Sequence, residues 1–100
     1  MNLSEIQAKG IARLLTMPEL VPGKLTLHIS EVEPGGQSHP PHTHPGIEAF
    51  YIFEGQVTVE VDGEHQPLGA NESMVIDPTQ PHGIFNSGSV RARYMVIMVK

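Results

Sequence analysis

The sequence predicts an all-β fold of short antiparallel strands closed into a sandwich or barrel, on three observations. Gly and Pro account for 10 and 9 of the 100 residues, and they fall between short apolar runs as turn punctuation. Several runs alternate apolar and polar side chains with period two, Gln56-Val-Thr-Val-Glu-Val61 most cleanly. No internal repeat or linker interrupts the pattern, so residues 1–100 read as a single domain, large enough to bury a core without disulfides.

Composition narrows the partners. A formal charge of −5 with neutral histidines argues against nucleic acid and anionic membrane surfaces, since both select basic patches. There is no cysteine, so no thiolate is offered to a metal, and a cytoplasmic location fits. The N-terminal stretch carries Glu5, Lys9, Arg13 and Glu19 without a long apolar run, which is unlike a signal peptide, and no later segment is long enough to span a bilayer. A soluble protein is expected.

The elements follow in order. Residues 1–20 form an N-terminal strand or arm: Ser4 with Gln7 would suit a helix capping box, but Gly10 falls in its second turn. The competing reading is a strand over Ile11-Ala-Arg-Leu-Leu-Thr16, ended by Pro18 and Pro22-Gly23. Leu25 to Val32 alternates and reads as a half-buried strand with His28 on its more polar face, a solvated or hydrogen-bonded histidine. Pro34-Gly35-Gly36 stops it.

Glu48 to Glu54 is the next strand. If Glu48 points inward, so do Phe50 and Ile52, while Ala49, Tyr51 and Phe53 form an apolar outward row that the N-terminal strand or a second subunit would cover. Asp62-Gly63 is a two-residue hairpin turn between Val61 and Glu64, leaving His65 exposed. After a turn at Gly69-Ala-Asn-Glu72 come a short buried strand, Ser73 to Ile76, and a rigid loop, Asp77-Pro-Thr-Gln-Pro81. A segment beginning at His82 leads to Asn86, and Val90 to Val99 is the last strand, with Arg91 and Arg93 on one parity and Ala92 and Tyr94 on the other.

The chemistry concentrates in one stretch. His42 and His44 are two apart, so extended backbone would send both imidazoles off one face, and Glu48 follows a Pro45-Gly46 break. Two imidazoles and a carboxylate suit a first-row divalent metal: Fe, Mn, Ni, Zn or Cu. His39, at an odd offset from His42 and held by Pro40-Pro41, is expected on the rim.

These residues carry a resemblance. Gly36, five residues, His42-x-His44, three residues, Glu48, six residues, Gly55 resembles the first signature of the cupin superfamily, over 36–55. His82-Gly-Ile-Phe-Asn86 resembles the end of the second, over about 69–86, with Asn71, Asp77 and Thr79 where the family pattern has Gly, Pro and Gly. The 15 residues between Gly55 and Asn71 leave room only for a hairpin, as in small one-domain cupins. The resemblance implies a single cupin-type antiparallel β-barrel or jelly roll. It also implies a fourth metal ligand, His82, beside His42, His44 and Glu48.

Four protein ligands leave one or two positions for water, dioxygen or a chelating small-molecule substrate. Cupin sites of this kind include dioxygenases, sugar and uronate isomerases, decarboxylases and lyases, and modules that sense a metabolite without turning it over. An enzyme acting on a small oxygen-rich metabolite is the first expectation, a metal-dependent binding module the alternative, and a homodimer the expected assembly. No catalytic acid or base is assigned; Glu54, Tyr94 and His39 are candidates.

Overall fold

The computed structural model describes residues 4–8, 12–16, 24–37 and 41–100, with backbone alone for 4–8 and 12–16. These residues hold nine strands: β1 Ser4–Ala8, β2 Ala12–Thr16, β3 Leu25–Val32, β4 Ile47–Glu54, β5 Gln56–Val61, β6 Glu64–Gly69, β7 Ser73–Ile76, β8 His82–Asn86 and β9 Ala92–Val99. Every pairing between them is antiparallel. Six strands form one sheet in the order β1-β2-β3-β9-β4-β7, and three form the facing sheet in the order β6-β5-β8. This is the expected jelly roll.

At the N-terminus the strand reading holds and the capping-box helix does not: residues 4–8 pair with β2, and β2 pairs with β3. Pairing in a sheet satisfies the backbone groups that a Gly-interrupted helix of this length could not hold. The last strand begins at Ala92, two residues later than its apolar run suggests. Among the described residues no helix is long and apolar enough to cross a membrane.

Period-two alternation places the core. On β4, Glu48, Phe50 and Ile52 are buried while Tyr51 is exposed, as read from the sequence. Phe50 and Ile52 meet Val57, Val59 and Leu68 of the smaller sheet and Val32 and Tyr94 of the larger one. At ~25 cal/mol per Å² of buried apolar surface, side chains of this size are worth about 1.5–3 kcal/mol each. The hairpin at Asp62 and Gly63 has φ of 50° and 82°, the left-handed pair that a two-residue turn between twisted strands needs.

Two strands differ from expectation. β7 is not buried: only Ile76 is, and Val75 is 69% exposed, because β7 is the edge strand beyond β4. On β3 the polar parity faces the barrel interior. Ser30 and Val32 are buried and His28 lines the internal cavity, while Leu25, Leu27 and Ile29 sit on the outer parity. His28 is half-buried, and its place on the cavity wall is what the reading as a solvated or hydrogen-bonded histidine left out.

Candidate metal centre

Three backbone devices bring the predicted residues together. His42 and His82 exchange both backbone hydrogen bonds, each 3.1 Å, forming an antiparallel bridge between the segment before β4 and the first residue of β8. The His44 amide donates to the Pro78 carbonyl at 2.9 Å, tying the segment before β4 to the loop before β8. Gly46 then turns at φ 106°, where any Cβ would run into the Val99 carbonyl; this turn folds His44 back over Glu48. A regular strand would have separated them.

The Asp77-Pro-Thr loop has its own brace. Asp77 Oδ1 accepts from the Thr79 amide at 3.0 Å and from its hydroxyl at 2.6 Å. These bonds hold the carboxyl below the ordinary value of 3.8. Asn71, placed where the family pattern has glycine, has φ 66° and accepts the Tyr51 hydroxyl on its side-chain oxygen.

The result is a cluster. Imidazole nitrogens of His42, His44 and His82 lie within 4.8 Å of one another, and the ring centroids are 4.6 to 5.1 Å apart. Glu48 joins it through both oxygens: Oε1 is 2.9 Å from His44 Nε2, and Oε2 is 3.3 Å from His82 Nε2. Glu48 is 4% exposed and His82 1%. All four predicted residues converge.

The far side of two rings selects the tautomer each adopts when neutral. His82 Nδ1–H donates to the Gln80 carbonyl at 2.9 Å, and His44 Nδ1–H donates to the Pro45 carbonyl at 3.0 Å. In the neutral tautomer each Nε2 then carries a lone pair aimed at a carboxylate oxygen. Among the described residues no lysine or arginine pairs with Glu48. Acceptors facing acceptors in a dry site repel unless a proton or a cation lies between them. Neighbouring donors around one ion with bonds of about 2.1 Å stand roughly 3 Å apart; the two Glu48–histidine separations match that spacing, and the three imidazoles form a looser group within 4.8 Å.

The cluster opens onto a cavity of about 110 Å³, whose further walls include His28, Ser30, Phe50, Ile84 and Tyr94. The residues match a family model described as a cupin domain over 28–98. This chain belongs to the cupin family. The cupin is 34% identical over 86 residues to the tetracenomycin polyketide synthase protein TcmJ of Streptomyces glaucescens, covering 84% of this chain and 57% of that one. It is 40% identical over 53 residues to polyketide synthase CurC of Streptomyces cyaneus, covering 52% of this chain and 34% of that one. The chain thus spans only part of both curated relatives. An RmlC-like cupin of Shewanella frigidimarina NCIMB 400 superposes with a TM-score of 0.81 at 18% identity, covering 97% of this chain and 83% of the other.

Other candidates fall elsewhere. Glu54 is exposed, and His65 is exposed and 3.2 Å from Glu60. Arg91 and Arg93 each lie 3.6 Å from the Glu31 carboxylate, and Arg93 stacks over Phe53 on the outer face, so neither enters the cavity. His39 lies outside the described residues. Tyr94, by contrast, lines the cavity and is fully buried.

Asn86 is the second motif's structural end. Its side-chain amide donates to the Val32 and Val90 carbonyls at 2.8 Å each and accepts from the Gly88 amide at 2.9 Å. Its backbone pairs with Gly35 and Gly36, so the start of the first motif is stitched to the end of the second. Sequence reading missed His28 and Ser30 as cavity residues. Their shared parity with Val32 was the available signal.

Proposed function

We propose that this cupin is an enzyme using one divalent metal (Fe, Mn, Ni, Zn or Cu), held by His42, His44, Glu48 and His82, to act on a small oxygen-rich metabolite. The reaction is of the oxygenase or isomerase and lyase type. The observation that carries the reading is the convergence of His44 and His82 Nε2, at 2.9 and 3.3 Å, on the buried Glu48 carboxylate beside a cavity. A metal bound there would supply Lewis-acid polarisation of a ligand oxygen or, if redox-active, reaction with dioxygen.

The chain's own residues do the rest. The Gln80 and Pro45 carbonyls orient His82 and His44 and keep their Nε2 atoms basic. Phe50 and Ile84 exclude water from one side of the cavity, and Tyr94 and His28 are the groups there able to donate or accept a proton. The names of the two curated relatives support an oxygen-rich ligand, because polyketides are built from ketone and phenol carbons.

The same reading takes residues 1–100 as one cytoplasmic domain acting as a homodimer. Ile47 and Val99 are paired on the outer sheet face at 55% and 42% exposure, with Val75 beside them at 69%. An apolar face of this kind is covered in solution, and a second copy of the chain is the proposed cover.

The test is metal content of untagged protein, followed by dioxygen uptake against small diols, keto acids and uronates. Stoichiometric iron with substrate-triggered uptake selects oxygenation. Another metal with substrate loss but no uptake selects isomerisation or lysis, and tight binding without turnover selects a binding module. No metal after reloading sinks the proposal.

A further inference from the structure

The inner parity of the large sheet is laid out in rows by its register. Thr26, Met98 and Glu48 form one row; His28, Val96 and Phe50 the next; Ser30, Tyr94 and Ile52 the third. The third row is the most buried: in the first, Thr26 and Met98 are half-buried and Glu48 is 4% exposed, in the second His28 is half-buried and Val96 is 8% exposed, and every residue of the third is at 1% or below. The Glu48 row is therefore nearer the mouth, and Ser30 belongs to the floor.

Ser30 is the anomaly on that floor. It is 1% exposed and lines the cavity, and its hydroxyl has no hydrogen-bond partner among the described residues. Buried hydroxyls are ordinarily paired, so one left open to a cavity is placed for a guest. His28 stands one row above it on the same face. Tyr94 lies beside Ser30 in the same row, and between that row and the histidine cluster the wall is Phe50, Ile84, Val96 and Met98.

We propose that Ser30, with His28 above it, is a second polar station of this cavity. It receives the far oxygen of a compact ring compound whose near oxygen lies at the histidine cluster and whose middle is carbon alone. This deepens the enzymatic reading and rests on it. The ligand class is then a hydroxylated or keto aromatic or alicyclic acid, not a sugar. Each sugar hydroxyl pressed against Phe50 or Val96 without a partner would cost roughly 5- to 150-fold in affinity. The cavity's 110 Å³ is less than the ~150 Å³ that encloses a benzene, so the ligand is at most a single ring and part of it lies outside, at the mouth.

The experiment uses 4-hydroxybenzoate, benzoate and glucuronate as probes, titrated calorimetrically into zinc-loaded wild type, Ser30→Ala and Ser30→Thr. Wild type is expected to bind 4-hydroxybenzoate roughly 3- to 10-fold more tightly than benzoate, and glucuronate most weakly. Ser30→Ala should erase the margin between the first two without changing benzoate affinity or zinc content, and Ser30→Thr should restore it. A margin that survives in Ser30→Ala, a preference for glucuronate, or binding of no probe overturns the proposal. A zinc titration of the same wild-type protein judges the metal centre separately: no zinc uptake sinks that reading, while the benzoate margin still decides Ser30.

Discussion

β4 and β3 flank the same neighbour, β9, and face the same interior, yet their side-chain patterns run in opposite senses. β4 turns its apolar parity inward around Glu48, so Phe50 and Ile52 build the core. β3 turns its polar parity inward and carries Leu25, Leu27 and Ile29 on the outer parity, where Ile29 is still buried and the two leucines are half-buried. Alternation reports that a strand has two faces. Which of them is the interior depends on what the interior contains, and a barrel holding a polar site can reverse the usual assignment.

The contrast predicts unequal costs for similar truncations. Ile52→Ala, at a fully buried inner position, should destabilise by about 2–5 kcal/mol. Leu27→Ala, on the half-buried outer parity of β3, should cost less than about 1.5 kcal/mol, since less apolar surface leaves water there. Denaturant midpoints measure both; equal losses would mean that the outer face of β3 is as tightly packed as the core.

The histidines divide as well. His42→Ala, His44→Ala or His82→Ala should each weaken metal binding by at least ~10-fold, since even changes to groups that only orient a ligand reach that size. His28→Ala and His65→Ala should leave metal content unchanged, because neither side chain belongs to the cluster. Metal analysis after dialysis distinguishes them, and unchanged metal in all three cluster variants would remove the centre.

Between site and fold lies Asn86. Asn86→Ala leaves the Val32 and Val90 carbonyls without their donor in buried surroundings, a loss of about 1–3 kcal/mol. It should lower the melting temperature while leaving metal stoichiometry intact. Loss of metal instead would make Asn86 part of the site and not only of its frame.

The smallest effect belongs to the outer loop. The Thr79 hydroxyl and amide hold the Asp77 carboxyl below its ordinary value, so this contribution to stability is full above the unfolded pKa near 3.8. It is lost as pH falls through the lower folded value. Melting curves between pH 5 and strongly acid conditions should therefore show a slightly shallower acid decline in Asp77→Ala, with no difference near neutrality.

Much of the site was legible because its parts are local. The His42-x-His44 pair, Glu48 and the turn residues before it lie in one short stretch whose chemistry and turn signals are read residue by residue. His82 stands 34 positions beyond Glu48, and only its motif connected them. What joins them physically is the reciprocal backbone bridge between His42 and His82, a contact from the segment before β4 to the start of β8 that no periodicity announces.

By itself the sequence determined the strands, their turns and the ligand types, since alternation, glycine and proline act over a few residues. Tertiary structure decided which parity of β3 became interior, that β7 lies at an edge, and that Ser30 ends on the floor of a cavity. Those outcomes depend on which strand becomes whose neighbour. That choice is made by burial summed over both sheets, not by any stretch alone.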